Sequence, residues 1–455
     1  MAVVPRPRRI PALPTLALTL ALALALALTL TLGACEAGPG TASLPDSGKS
    51  FDRGWSVAAP DARATDGALG SQTQRTPCEA VPALCAGPAS PAPRFDGLET
   101  LVPSPGLPPE VSLRQSNNNL DLTWFEGRFF LAFRTASHHH PRADATLYVL
   151  SSADLSRWDF EQRIVLGTDL REPQLVSLGP NLLLYFAVVA PENTNFVPLG
   201  VRVSRRLGPR QWTPPRSVLE PGLVPWRMRS SPEGLELLGY VGVKGLLDNR
   251  NAEVKWLKSR DGETFEPVVP GQPTVLRGGV SETDLARLSD GAIVAVSRNE
   301  TGDATGFGSK LCRAEATALG QWRCAPDRRK YDSPLVFRHG ETVYLVGRRH
   351  VTEDGLFDLG QRLLPWPAQL ALYEASYWLK PKRCALWRVD PEALAVTHLL
   401  DLPSRGDTCF PEVLPLDARR YLLLNYSSPL DGPDLSWKTG QDGRTLIYRG
   451  VLTLP

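Results

Sequence analysis

Residues 281–299, SETDLARLSDGAIVAVSRN, contain the pattern on which the fold prediction rests. An acidic segment opens a short apolar run, an Asp-Gly pair forms a turn, and a strongly apolar run ends in Arg298. Two short apolar runs joined by a glycine turn are typical of a β-hairpin. The stretch therefore predicts two antiparallel strands, with the carboxylate of Glu282 at the start of the first strand.

The same pattern recurs along the chain. Residues 119–134, NLDLTWFEGRFFLAFR, are a second copy. The other copies begin at Arg171, Asp332 and Pro411, with a weaker one near Trp226. The copies lie about 50 to 80 residues apart, a period typical of propeller blades, and each has room for four strands. Six copies predict an all-β, six-bladed β-propeller, in which residues 446–452 close the ring with the first unit.

Composition agrees with many short strands and excludes some classes of protein. The 455 residues include 42 Pro, 38 Gly and only 2 Met, which argues against a helical bundle. The formal net charge of +2 argues against a nucleic-acid partner bound through general basicity. A five-bladed propeller, a β-sandwich and two smaller domains remain as alternatives for the fold.

The N-terminus has the features of an export signal. Arg6, Arg8 and Arg9 precede a Leu/Ala/Thr run over residues 16–32, which predicts a signal peptide over residues 1–34. The following Cys35 completes a segment that resembles the lipobox of bacterial lipoproteins, which implies a lipid-anchored Cys35. Glu rather than Asp follows this Cys, which favours the outer membrane or the cell surface. An uncleaved anchor helix is the alternative.

Residues 35–109 are rich in Ala, Pro, Gly, Ser and Thr, and they predict a flexible tether before a domain over residues 110–455. Six further cysteines in an exported chain predict disulfides. Proximity in sequence favours the pairs Cys78–Cys85, Cys312–Cys324 and Cys384–Cys409, although six cysteines allow fifteen pairings. None of them forms a CxxC motif, which argues against a zinc site, and the sequence contains no HExxH or GxxxxGK(S/T) motif. We therefore expect no metal and no cofactor.

Two predicted turns carry a shared motif. Ser152-x-Asp154 is followed by Trp158, and Ser259-x-Asp261 is followed by Phe265. The Asp side chain can bond its own backbone in such a turn, while the aromatic residue packs beneath it. The motif resembles the Asp-box turn of sialidases and related propellers, which lies between outer strands and supports the fold rather than catalysis.

In a propeller, the residues that open the inner strands meet at one mouth of the central channel. The acidic residues predicted there are Asp121, Glu172, Glu282, Asp332 and Glu412, and the arginines predicted nearby are Arg134, Arg298 and Arg348. Paired carboxylates can cleave a glycosidic bond, and arginines can hold a substrate carboxylate. Alternatively, the charges pair with one another and only close the channel.

The segment around Glu282 and Arg298 resembles the sialidase segment in which a Glu opens a blade and an Arg ends the next strand. This resemblance implies that Glu282 activates a nucleophilic tyrosine and that Arg298 binds the carboxylate of an acidic sugar. Asp144, eight residues before the first Ser-x-Asp turn, is the implied acid/base, and Tyr426 is the candidate nucleophile. Residues 115–121, QSNNNLD, depart from the Arg-Ile-Pro of sialidases.

Other residues give weaker predictions. The turn at Glu172 also resembles arabinanase- and fructosidase-type propellers, for which Asp121, Glu172 and Glu282 would be the catalytic carboxylates. Residues 138–140, HHH, predict a loop over the channel that contacts a sugar ring or, less favourably, a metal. Trp226 is a candidate for stacking on a sugar.

These observations predict a monomeric cell-envelope lipoprotein with a carbohydrate ligand. We expect a glycoside hydrolase, similar to exo-sialidases, that acts on terminal sugars of extracellular glycans. A non-catalytic propeller that binds a glycan or a protein at the cell surface is the alternative.

Overall fold

The computed structural model describes residues 75–191, 196–243 and 251–455. The predicted signal peptide, Cys35 and the predicted tether as far as residue 74 lie outside the described residues. Among the residues that are described, no helix is both long and apolar enough to cross a membrane.

The described chain forms 26 strands in six antiparallel sheets. The strands are β1 Arg94–Val102, β2 Ser116–Phe125, β3 Arg128–Ala136, β4 Thr146–Ser152, β5 Asp159–Ile164, β6 Asp169–Leu178, β7 Asn181–Val189, β8 Pro198–Gly208, β9 Gln211–Trp212, β10 Arg216–Val218, β11 Val224–Ser231, β12 Gly234–Val241, β13 Ala252–Ser259, β14 Glu266–Pro267, β15 Thr274–Gly278, β16 Val280–Arg287, β17 Ile293–Asn299, β18 Lys310–Ala314, β19 Arg323–Pro326, β20 Asp332–His339, β21 Thr342–His350, β22 Lys382–Asp390, β23 Ala395–Asp401, β24 Glu412–Pro415, β25 Arg420–Ser427 and β26 Leu446–Thr453.

Each sheet is one blade, and the predicted six-bladed β-propeller is confirmed. Strands β2–β5 form blade 1, β6–β10 blade 2, β11–β15 blade 3, β16–β19 blade 4 and β20–β23 blade 5. Blade 6 contains β24, β25, β26 and β1 in that order. Apolar side chains from facing blades pack together, as Phe130 and Ala132 of blade 1 do with Leu175 and Leu184 of blade 2.

The ring is closed by the N-terminal strand β1. It pairs with β26 from Arg94, opposite Thr453, to Val102, opposite Ile447. The folded domain therefore begins earlier than the predicted residue 110, inside the stretch predicted to be tether. Most of β1 is exposed and Gly97 lies within it, so the segment lacks the apolar alternation that marks the other strands.

The three predicted disulfides are confirmed. Their Cα–Cα distances are 5.7 Å for Cys78–Cys85, 4.0 Å for Cys312–Cys324 and 5.0 Å for Cys384–Cys409. The first pair joins a short helix α1, Pro77–Ala80, to a 3₁₀ turn over Pro82–Cys85 that packs on the main core. The third pair ties β22 to the loop before β24.

The two Ser-x-Asp turns have the same geometry, between the third and fourth strands of blades 1 and 3. Asp154 Oδ1 accepts hydrogen bonds from the backbone N–H groups of Ser156 (2.8 Å) and Arg157 (2.9 Å). Asp261 Oδ1 likewise accepts from the second and third residues that follow it, at 2.8 and 2.7 Å. These bonds, led by that from Arg157, lower the pKa of Asp154 to about 2.

Two insertions lie between the second and third strands of the last two blades. Blade 5 carries helix α2, Trp366–Leu379, and blade 6 carries helix α3, Trp437–Gln441. Tyr377 of α2 meets the ring of Trp437 edge-on at 4.8 Å. Phe307 stacks on Tyr373 of α2 at 4.2 Å and fixes this helix against blade 4.

Candidate functional site

The inner strands start with an irregular backbone that turns side chains toward the channel. In blades 1 to 5, the pairing of the first two strands shifts register near its start. At these shifts φ is positive for Asn119 (43°), Glu172 (49°) and Ser333 (51°). Bulges re-aim side chains and are frequent beside active sites, and a positive φ is costly for residues other than glycine. The irregularity therefore marks one end of the channel.

Below this end, polar side chains tie one inner strand to the next. The carboxylate of Asp121 accepts a hydrogen bond from Leu175 N–H of blade 2. Gln174 Oε1 accepts a hydrogen bond from Met228 N–H of blade 3 at 2.9 Å. The carboxylate of Asp284 in blade 4 accepts one from Val336 N–H of blade 5. Asp121 is thus a link between blades in the channel wall.

Charges in this lower layer pair with one another. Arg227 donates to Glu412 at 3.2 Å, and Arg229 donates to Asp284 at 2.6 Å. Burial and the nearby Glu412 raise the pKa of Asp121 well above its ordinary value. The sequence allowed two interpretations of these charges: catalysis, or pairing that only closes the channel. In this lower layer the charges pair with one another and close the channel.

The mouth contains a second layer of charge around Glu282 and Arg298, which contact each other at 2.8 Å. The other carboxylate oxygen of Glu282 accepts a hydrogen bond from Ser333 N–H at 2.7 Å. Arg298 also lies 3.4 Å from Asp332 and 3.5 Å from Glu300. Neighbouring blades 4 and 5 therefore share one buried network of three carboxylates and a guanidinium.

Arg348 lies beside this network and is held by groups from blade 6 and from α2. Its guanidinium donates to Thr408 O (2.7 Å), Tyr377 Oη (3.0 Å), Cys409 O (3.2 Å) and Ser333 Oγ (3.2 Å). Tyr377 was not among the predicted site residues, because it lies in an insertion outside the repeat pattern.

Tyr426 belongs to a chain of three titratable side chains. Its hydroxyl donates to Asp407 Oδ1 at 2.8 Å, and Asp407 Oδ2 lies 2.7 Å from His139 Nδ1. Asp407 and Tyr426 are buried, whereas the His139 side chain keeps 15% of its exposure. Asp407 was missed by the sequence analysis, since no motif surrounds it and 268 residues separate it from His139.

The carboxyl groups at the mouth have different proton affinities. Burial, followed by the charge of Glu282, raises the pKa of Glu172 to about 8. Burial would also raise the pKa of Asp332, but Arg298 and Lys330 hold it below its ordinary value. Burial also raises the pKa of Glu282, against the opposing charge of Arg298. At neutral pH the mouth therefore holds a protonated Glu172 and an ionised Asp332, a difference in proton affinity of the kind that separates acid and base roles.

Two predicted residues lie beside the site without joining its network. Arg134 is fully buried and bonds Asp169 at 2.6 and 2.9 Å, so a ligand has no access to it. Asp144 pairs with Arg114 at 3.2 Å and accepts a long hydrogen bond from Ser137 N–H. The burial of Arg134 therefore leaves it out of reach of a substrate carboxylate, whereas the acid/base role of Asp144 remains a prediction.

Trp226 packs in the interior. It is 1% exposed, its Nε1 donates to Pro334 O at 3.2 Å, and its ring meets Phe410 at 5.2 Å. This position gives a sugar ring no access to the indole, unlike the stacking role considered from the sequence.

Several buried polar atoms at the mouth have no hydrogen-bond partner among the described residues. They are Asn119 Oδ1, Ser281 Oγ, Asn299 Oδ1, Trp437 Nε1 and Gln441 Oε1. Each of these side chains is more than nine-tenths buried. Because native proteins rarely leave such groups unpaired, these five are the buried polar atoms of this region that a hydroxyl-rich ligand could satisfy.

Comparisons with known proteins establish the fold alone. No family model and no curated protein matches the chain. A protein of unknown function from Dyadobacter fermentans matches with a TM-score of 0.55 and 15% identity, over 80% of this chain and all of that one. Trypanosoma rangeli sialidase, in complex with 2,3-difluorosialic acid as a covalent intermediate, matches with a TM-score of 0.50 and 11% identity, over 80% of this chain. This chain spans 59% of that sialidase.

Proposed function

We propose that this protein is a glycoside hydrolase that removes a terminal sugar at the channel mouth. The observation that carries the proposal is the pair Glu172 and Glu282, two buried carboxyl groups close enough for the charge of one to raise the pKa of the other. The unpaired polar atoms around them suit the hydroxyl groups of a sugar.

The chemistry follows from the proton affinities. With a pKa of about 8, Glu172 is protonated at neutral pH and can donate its proton to the glycosidic oxygen as the bond to the anomeric carbon breaks. Glu282, oriented by Arg298 and by Ser333 N–H, then stabilises the positive charge that develops on the sugar.

An acidic sugar is the finer form of this proposal. Arg298 and Arg348 are two guanidinium groups at the mouth, and each could hold a substrate carboxylate. Both already have protein partners, so such a substrate would have to displace Glu300 from Arg298 or Tyr377 from Arg348. A nucleophilic Tyr426, as in a sialidase, would first have to leave Asp407.

A non-catalytic glycan-binding propeller is the second candidate. The observation that favours it is the internal pairing of the arginines, together with helices α2 and α3 over the mouth. Such a protein would bind a glycan through the unpaired polar atoms and release no product.

A panel of 4-methylumbelliferyl glycosides, which includes the N-acetylneuraminic acid conjugate, tests the two candidates. The hydrolase proposal predicts release of the fluorophore from at least one of them. Binding without release in calorimetry supports the second candidate, and neither binding nor release contradicts both.

The location is proposed from the sequence. We propose that the mature protein begins at a lipidated Cys35 in a bacterial cell envelope, as a monomer facing extracellular glycans. Labelled palmitate should enter the wild-type protein and not the Cys35→Ser variant; equal labelling of both would contradict this proposal.

A further inference from the structure

His139 and Asp407 form a histidine–carboxylate pair at the mouth. The 2.7 Å contact uses Nδ1 of the ring, and the carboxylate of Asp407 is fully buried. Burial would raise the pKa of Asp407, but His139, Arg348 and the Tyr426 hydroxyl hold it below its ordinary value. Asn118 Nδ2 lies 3.0 Å from the same Nδ1, but the shorter contact with an ionised Asp407 places the proton of His139 on Nδ1 and leaves Nε2 as the basic atom.

Nε2 of His139 is available for chemistry. It has no hydrogen-bond partner among the described residues, and the side chain keeps 15% of its exposure. The ring lies 6.5 Å from the ring of Tyr426 and 6.3 Å from that of Trp437. The backbone holds the ring in place, because the carbonyl of His139 accepts a hydrogen bond from Arg171, next to Glu172.

Burial and two nearby arginines keep His139 neutral. Burial lowers its pKa, Asp407 opposes that effect, and Arg171 of blade 2 and Arg134 of the same blade as His139 add to it. His140, in the same loop, is also neutral, since burial lowers its pKa to about 4. A neutral imidazole with its Nδ1 proton bound to a carboxylate is the form that accepts a proton at Nε2.

We propose that His139, oriented by Asp407, is the general base that activates the hydrolytic water. This role rests on the proposed glycoside hydrolase. Nε2 takes a proton from water, the water oxygen bonds to the anomeric carbon, and the bond from that carbon to the leaving oxygen breaks. The proton of Glu172 goes to the leaving oxygen, so charge and atoms balance. Direct attack by water inverts the configuration at the anomeric carbon.

The test uses whichever aryl glycoside of the panel the wild-type protein hydrolyses. His139→Ala should lower kcat by about 10²- to 10⁴-fold and abolish the acidic limb of the pH profile, and added imidazole should restore part of the rate. Proton NMR of the first product should show the inverted anomer. His398→Ala is the control, because that side chain is exposed on β23, the outer strand of blade 5, and it should leave kcat unchanged.

The outcomes separate this inference from the proposed function. Turnover by wild-type protein that His139→Ala leaves unchanged, or a product that retains its configuration, overturns the role of His139 alone. Loss of activity in His139→Ala without imidazole rescue, and with the acidic limb still present in the residual rate, also overturns it. No turnover by the wild-type protein overturns both.

Discussion

Glu282 of β16 and Arg298 of β17 contact each other at 2.8 Å, and each side chain keeps about one-tenth of its exposure, 12% and 13%. Glu282 lies within the register shift between Val280 and Thr283, at the start of the inner strand of blade 4. The pair is thus shielded enough from water for a strong charge–charge interaction, and a ligand can still reach it. The fully buried pair of Arg134 and Asp169 offers a ligand no such access.

Glu282→Gln should remove the charge and leave the fold intact. The amide oxygen can still accept the hydrogen bond from Ser333 N–H, so the circular dichroism spectrum should not change. Turnover of the aryl glycoside should fall by about 10²- to 10⁴-fold. Glu353→Gln, on an exposed residue, is the control and should keep full activity. Undiminished turnover in Glu282→Gln would remove this residue from the mechanism.

Glu172 should set the alkaline limit of activity. With a pKa of about 8, it loses the catalytic proton as the pH rises through 8, so kcat should decline there. The pH profile of the residual activity of Glu172→Gln should lack this limb. A limb that persists in the variant would belong to another group.

The carboxyl group of Glu172 also makes the stability of the protein depend on pH. The pKa of Glu172 rises from 4.5 to about 8 on folding, so the folded state holds the proton more tightly. The contribution of Glu172 to stability is therefore largest below pH 4.5, and it is lost, by a few kcal/mol, as the pH rises from 4.5 through 8. Denaturant unfolding at pH 5 and pH 8 should show a smaller pH effect in Glu172→Gln than in the wild type; an equal effect would contradict the assignment.

The Cys384–Cys409 disulfide should support the site as well as the fold. Cys409 and Thr408 bind Arg348 through their carbonyls, and Asp407 lies two residues before Cys409. Replacement of both cysteines by Ser should cost about 2–4 kcal/mol of unfolding free energy and lower activity. Replacing Cys78 and Cys85 should cost less and spare activity, because that pair closes a shorter loop. Equal effects on activity would argue against a positioning role.

Removal of β1 should open the ring. A chain that begins at residue 75 retains β1 and should unfold cooperatively as a monomer. A chain that begins at residue 104 exposes the edge of β26, and exposed strand edges promote association. Light scattering and thermal unfolding compare the two. A stable monomer from the shorter chain would show that β1 is dispensable.

The fold was largely predictable, because each blade repeats the hairpin seen at residues 281–299 and the cysteines pair with their neighbours. The strand β1 was missed because its side chains are mostly exposed and give no apolar alternation. The site was predictable only in part. Glu282, Arg298 and Arg348 end or open repeated strands, whereas Tyr377 lies in an insertion.

The contact between His139 and Asp407 arises only when the ring closes, since it joins the first blade to the last. Nothing in the sequence indicated which arginine side chains would be fully buried. The pattern that placed Arg298 at the mouth also placed Arg134 there, and only the packing around Asp169 distinguishes them.

A crystal structure with a bound sugar tests the central claim most directly. Crystals of the Glu172→Gln variant, soaked with the glycoside that the wild type hydrolyses, should show the terminal sugar at the channel mouth. Its glycosidic oxygen should lie within hydrogen-bond distance of residue 172, and its anomeric carbon should face Glu282. A sugar bound elsewhere on the propeller, with Tyr377 still hydrogen-bonded to Arg348, would contradict the account.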